Sequence, residues 1–167
     1  MSMKKLFRAT AATATLAMTA SWAQDDAMLA NPPEGDWLTY GRAVDNYRHS
    51  PLTEITPDNV DGLQLVWARG LEAGPFQGSP IVHDGVMYIP NPGDVIQAVD
   101  AATGDLIWEH RRAVGDTMLL HSLGDRKRGI ALYNGNIYFS SWDNHLVALD
   151  AASGQVVFDI DRGQGTD

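Results

Sequence analysis

The stretch AVDAATGDLIW at residues 98–108 returns fifty positions later as ALDAASGQVVF at residues 148–158. Near-identity at a fixed spacing of this size marks one structural unit used more than once. Residues 84–112 align with 134–162 without a gap, and Gly85/Gly135, Tyr88/Tyr138, Asp100/Asp150, Gly104/Gly154 and Arg112/Arg162 are identical pairs. Any fold of this chain must therefore place two equivalent units beside one another, each built from about fifty residues.

Each unit reads as β structure. IVHDGVMYI (81–89) sets Asp84-Gly85 between two short apolar runs, and IALYNGNIYF (130–139) does the same with Asn134-Gly135. Such pairs suit a two-residue hairpin because both central residues must accept φ > 0. VIQAVD and HLVALD supply a third strand, and DLIW and QVVF a fourth. Between them, Asp100 can accept backbone N–H bonds across a corner, Thr103 can do so one step later, and Gly104 takes the positive φ that closes it. Trp108 follows four residues on, where a large flat ring can wedge against a neighbouring unit. Four antiparallel strands in fifty residues is the size of a propeller blade, so the expected fold is all-β, a partial β-propeller of about two blades.

The amino terminus stands apart. Lys4, Lys5 and Arg8 precede an uncharged run from Ala9 to Ala20, and Ser21-Trp22-Ala23 offers a small-x-small cleavage site. This is the pattern of a secretory signal peptide over residues 1–23, and the run is too short for a membrane span. Its removal takes three of the 12 Lys+Arg and none of the 21 Asp+Glu, moving the formal net charge from −9 to −12. An exported chain this acidic is a poor match for nucleic acid or anionic membrane. The absence of cysteine rules out disulfides, thiolate metal sites and a lipid-modified terminus within this sequence. The five histidines, His49, His83, His110, His121 and His145, show no paired metal spacing and read as structural or solvent-facing.

Ala98-x-Asp100-x-x-Thr103-Gly104-x-x-x-Trp108 resembles the tryptophan-docking motif of the quinoprotein alcohol dehydrogenases, and the second copy departs only at Ser153 and Phe158. The lead-in DWLTYGRAVDNYRHSPLTEITPDNVDGLQLVW (36–67) resembles that family's W-x-x-Y-G-R and N-x-R-x-S-P-L segment, which ends in a strand of the first blade. The resemblance covers residues 36–162. It implies periplasmic eight-bladed propellers that carry pyrroloquinoline quinone (PQQ) with a calcium or lanthanide ion. Such enzymes oxidise alcohols or polyols and commonly pass electrons to a cytochrome c. The domain organisation expected is a signal peptide (1–23), a flexible mature amino terminus (24–35) and the amino-terminal portion of a propeller (36–167).

The resemblance also implies two cofactor-binding residues. In FQGSP, Gln77 stands where the family often has a glutamate that touches the quinone; the amide keeps an acceptor, adds a donor and loses the charge. In DRKRGIALY, Arg128 with Gly129 and Ala131 matches the family's arginine motif, and a guanidinium suits the quinone's carboxylates. The adjacent cysteines that many members carry before that arginine are replaced by TMLLHSLGDRKRG. The metal ligands and the catalytic aspartate of the family belong to later blades, so the chain alone is expected to be inactive. The alternative is a non-enzymatic propeller scaffold or sensor domain with the same docking motif, since fold does not fix function.

Overall fold

A computed structural model of the chain describes residues 25–113 and 129–163; the expected signal peptide, residues 1–23, lies outside them. A short helix α1 (Asp26–Ala30) begins where the Asp25 carboxylate accepts the Met28 N–H at 2.8 Å. Eight strands follow: β1 (Ile81–His83), β2 (Val86–Asn91), β3 (Val95–Asp100), β4 (Leu106–Arg111), β5 (Ala131–Tyr133), β6 (Asn136–Ser140), β7 (His145–Asp150) and β8 (Val156–Asp161). They form two four-stranded antiparallel sheets, ordered β1-β2-β3-β4 and β5-β6-β7-β8. These are the two blades that the repeat requires.

The two blades match in detail. Asp84 (φ 47) and Gly85 (φ 75) make the first hairpin, and Asn134 (φ 47) and Gly135 (φ 73) the second. Their registers agree, with His83 opposite Val86 and Tyr133 opposite Asn136. The outer ladders shift register at the same place, between Ala98 and Val99 and between Ala148 and Leu149. The corners after β3 and β7 are built as the sequence suggests. Asp100 Oδ1 accepts the Ala102 and Thr103 N–H groups at 2.9 and 2.8 Å, and Asp150 Oδ1 accepts the Ser153 N–H at 2.8 Å. Those bonds hold the exposed Asp100 carboxyl below its ordinary range, the Thr103 N–H contributing most.

Packing joins the blades through one tryptophan. Trp108 Nε1 donates to the Ala151 carbonyl at 2.9 Å, and its indole lies against the next blade's corner at Gly154. A Cβ at Gly154 would sit 2.6 Å from Cδ2 and Cε3 of that ring, and the residue has φ +71. Glycine is thus required twice over, by close approach and by backbone conformation. The buried core runs continuously through the seam, from Leu38, Ile81, Tyr88, Ile96 and Trp108 to Leu132, Ile137, Phe139, Val147 and Leu149.

The lead-in departs from the expected strand. Residues 63–67 belong to neither sheet, because no neighbouring strand offers them a ladder. Trp67 docks instead on the first blade's corner, as Trp108 does on the second. Its Nε1 donates to Ala101 O at 3.1 Å, and its ring covers Gly104 (φ +75). Further upstream, Trp37 bridges to Val82 by reciprocal backbone bonds of 2.8 and 2.9 Å. The buried Asp36 carboxylate meets His83 Nδ1 at 2.6 Å and accepts the Asp84 N–H at 3.1 Å.

Gly154→Ala is expected to lose about 2–4 kcal/mol of unfolding free energy, from a strained φ and a displaced indole together. Trp108→Phe, which keeps the packing and removes the donor, should lose about 1 kcal/mol. Urea denaturation of both variants checks this; equal losses would show that the glycine does not seat the ring.

Candidate cofactor-binding site

Strand direction sorts the loops to two ends of the blades. The hairpin at Asp84-Gly85 and the corner at 100–105 share one end, where Ala101 N donates to Gly85 O at 2.8 Å. The β2–β3 turn and the exit from β4 share the other, where Arg112 N donates to Asp94 O at 3.2 Å. Chain entering β1 or β5 arrives at this second end. Gln77 lies there, exposed, four residues before Ile81. Arg128 lies outside the described residues; the described chain resumes at Gly129, two residues before β5. By the fifty-residue repeat, Arg128 is equivalent to Gly78, the neighbour of Gln77. Both expected cofactor residues therefore belong to approaches to the first strand of a blade.

A polar network anchors the segment upstream of Gln77. Glu72 N donates to Asn91 Oδ1 at 3.3 Å, and the Glu72 carboxylate pairs with Arg111 at 2.7 Å. Arg69 donates to Gln97 Oε1 and to Gly104 O, each at 3.4 Å. Asn91, fully buried, donates to Gln97 Oε1 at 3.3 Å, and Gln97 Nε2 donates to Glu109 at 2.8 Å. That donation, with help from Arg111, lowers the Glu109 carboxyl's pKa. The sequence reading missed this network. Its signal was present, since Asn91 and Gln97 are amides at positions of an otherwise apolar strand pair, and buried amides need partners.

The second electrostatic centre straddles the seam. Arg112, just after β4, donates through Nε and Nη2 to Asp143 at 2.9 and 2.7 Å, and through Nη1 to Asp159 at 2.5 Å. Ser141 Oγ also donates to Asp143, and His145 Nδ1 lies 2.6 Å from Asp159. Trp142 N donates to Asp94 Oδ2 at 2.7 Å, adding a backbone tie across the same gap. The Arg112 bonds hold the Asp143 carboxyl at about 2, against an ordinary 3.8, and Asp143 raises Arg112 in return. Arg112 was visible in the sequence only as half of an identical pair; its partners lie 31 and 47 residues away.

Of the described histidines, His49 is exposed and the other three make structural contacts. His83 pairs with Asp36, His145 with Asp159, and the His110 ring packs 6.0 Å from Phe139. Burial, then the neighbouring Arg112, pushes the His110 imidazole below its usual pKa. His121 lies outside the described residues. Among the described residues, no group of three or more His, Asp or Glu side chains could hold a metal ion. No helix there is long and apolar enough to cross a membrane.

Two four-stranded blades docked through a tryptophan on a glycine corner form part of a β-propeller. Residues 37–162 match the family described as PQQ, the glucose/ethanol/alcohol dehydrogenase β-propeller domain, and the chain belongs to that family of PQQ-dependent enzymes. It is 40% identical over 133 residues to the dehydrogenase subunit of alcohol dehydrogenase (quinone) from Gluconacetobacter polyoxogenes, covering 78% of this chain and 18% of that protein. It is 38% identical over 127 residues to 1-butanol dehydrogenase (cytochrome c) from Thauera butanivorans, covering 75% and 18%. The crystal structure of quinohemoprotein alcohol dehydrogenase from Comamonas testosteroni superposes with a TM-score of 0.72 at 32% identity, over 89% of this chain and 23% of that one. A europium-containing methanol dehydrogenase shares the fold, with a TM-score of 0.75 at 24% identity over 84% and 25%. The chain thus spans less than a fifth of the length of these curated relatives.

Because the folded pKa of Asp143 is depressed, the stability it confers is present above its unfolded pKa and is lost as pH falls from about 5 towards 2. Asp143→Asn is expected to be less stable than wild type at pH 7 and to lose less on acidification through that window. Urea midpoints across the range test it; parallel curves would mean that Arg112 does not depend on this carboxylate.

Proposed function

We propose that this chain is the amino-terminal propeller portion of an exported, PQQ-dependent dehydrogenase that oxidises alcohols or polyols and passes electrons to a cytochrome c. The observation that carries the reading is the family match across 37–162, which includes both docking corners and the lead-in. Names of relatives support the substrate class and the acceptor: one is an alcohol dehydrogenase (quinone), another a 1-butanol dehydrogenase (cytochrome c). The basic start and small-residue run of residues 1–23 support export to the periplasm.

PQQ with a calcium or lanthanide ion would supply an electrophilic quinone and a Lewis acid for alcohol oxidation, and Gln77 and Arg128 are the residues of this chain that would hold the quinone. This chain's own part is to hold the cofactor's edge. Gln77, exposed in the approach to β1, offers an amide acceptor and a donor without charge. Arg128, in the approach to β5, offers a permanent cation whose planar fork matches a carboxylate. The Arg69–Glu72 anchorage fixes where the first approach leaves the blade, and Arg112 fixes where the second begins. No residue here is assigned the role of proton acceptor or metal ligand, and the 167-residue chain by itself is expected to be inactive.

The test is PQQ binding by the complete gene product, followed by quinone fluorescence or absorbance. Arg128→Ala should weaken binding by about 10- to 100-fold, the range expected for a charged hydrogen bond, and Gln77→Ala by about 3- to 10-fold. Wild-type affinity in both variants would remove these residues from the site. A complete product that binds no quinone with or without calcium would favour the scaffold reading instead.

A further inference from the structure

We infer that Asn134 is a self-modifying site. Its side-chain amide is lost by attack of the Gly135 nitrogen, Asn136 promotes that attack, and the isoaspartate formed loosens the corner on which Trp108 is seated.

The tip of the β5–β6 hairpin brings together what this reaction needs. Asn134-Gly135 is the one Asn-Gly pair in the sequence, and glycine leaves the attacking nitrogen unshielded by any Cβ. Asn134 is exposed, and among the described residues no hydrogen bond holds its side-chain amide away from the backbone. β5 is three residues long, so the tip opens locally without unfolding the sheet. Asn136 adds the activating group, since its Nδ2 donates to the Asn134 carbonyl at 3.1 Å. That carbonyl belongs to the peptide bond whose nitrogen must lose its proton, and the charge of the deprotonated amide is shared onto this oxygen. A donor already aimed there stabilises the charge as it develops. Hydroxide takes the Gly135 N–H proton and the nitrogen bonds to Asn134 Cγ. The Cγ–Nδ2 bond then breaks, and ammonia leaves with a proton from water. Water opens the five-membered imide at either carbonyl, leaving aspartate or isoaspartate at position 134, with no change of oxidation state.

The first blade is the internal comparison. Its hairpin carries Asp84, at the same φ of 47, and Val86 stands where the second blade has Asn136. A carboxylate is a poor electrophile and valine offers no donor, so that turn does not react in this way. It also shows that aspartate fits. Gly85 O accepts the Ala101 N–H at 2.8 Å there, as Gly135 O accepts the Ala151 N–H at 2.9 Å in the second blade. Isoaspartate does not fit. It routes the main chain through the side-chain carbon and lengthens a two-residue turn by one methylene, against the Tyr133–Asn136 pairing that the turn closes. Gly135 O is then displaced, and Ala151, which it holds, supplies the carbonyl to which Trp108 Nε1 donates at 2.9 Å. Asn46 and Asn144 also have positive φ, but they precede Tyr47 and His145, whose side chains shield the nitrogen.

The test ages the full chain in mildly alkaline buffer. Trypsin releases residues 129–162 as one peptide, in which Asn136 and Asn144 are internal controls. Fragmentation in the mass spectrometer should place amide-to-acid conversion at Asn134, at least about tenfold faster than at either control. Asn136→Val should slow it by about 3- to 10-fold in the folded chain, as loss of one hydrogen bond predicts, and leave the rate in urea unchanged. Fresh Asn134→Asp should melt with wild type, whereas aged wild type enriched in isoaspartate should melt about 3–8 °C lower. Asn134→Gly, which suits the turn and has no amide to lose, should keep its midpoint through the same ageing. Conversion at Asn134 no faster than at Asn144 would overturn the site. An Asn136→Val chain that reacts like wild type when folded would remove the role of Asn136. An isoaspartyl chain that melts with Asn134→Asp would overturn the effect on the corner.

Discussion

An indole laid against a glycine corner is the contact on which the rest of this structure depends. A four-stranded sheet cannot bury both of its faces alone, so each blade needs a neighbour at a fixed angle and distance. The Trp108–Gly154 contact sets both. The 2.6 Å gap that any Cβ would have to occupy leaves the ring one depth, and the bond from Nε1 to Ala151 O leaves it one orientation. Once the ring is seated, Tyr88 and Ala98 of one blade and Ala151 and Leu149 of the next fall into a single core. The corner geometry does not need the core to define it: Asp100 and Asp150 shape the turns through bonds within the turns themselves.

The lower end of the seam is held differently. There the ties are charged: Arg112 with Asp143 and Asp159, and the Asp94 carboxylate on Trp142 N. The guanidinium and its partners are partly exposed, so their worth is moderate and sensitive to pH and salt. What they supply is direction. A planar fork on two carboxylates specifies the angle at which the chain leaves β4, and that chain leads to Arg128. One end of the seam is thus dry and rigid, and the other is polar and open to solvent.

Much of this was legible in the sequence because it is local. Asp84-Gly85, Asn134-Gly135 and the two corners each act within six residues, and repetition in register turned weak turn signals into a blade count. The docking role of Trp108 was readable too, since only a repeated unit with a large ring beside a repeated glycine needs such spacing. Trp67 was harder. LQLVW has the composition of a strand, but a strand exists only where a partner completes its ladder, and no local feature reports a partner's absence. The network of Arg69, Glu72, Asn91, Gln97, Glu109 and Arg111 was missed for the opposite reason. The amides Asn91 and Gln97 signal that partners are needed, but only the sheet register, which sets Gln97 opposite Glu109, says which. The buried pair of Asp36 with His83 spans 47 positions and has no local signature.

The two ends of the blades are held by different chemistry, and the proposed cofactor residues belong to only one of them. The glycine corners consume one end of every blade; a ligand there would compete with the tryptophan rings that keep the blades together. The opposite end carries the entries to β1 and β5. Gln77, which stands where the resemblance leads one to expect glutamate, can vary without touching either described docking contact. On the proposed placement of the cofactor, binding and fold meet at Arg112 and at the Glu72–Arg111 pair. A substitution at Gln77 should register in quinone affinity and leave the unfolding midpoint unchanged, whereas one at Gly154 should lower the midpoint by opening the seam.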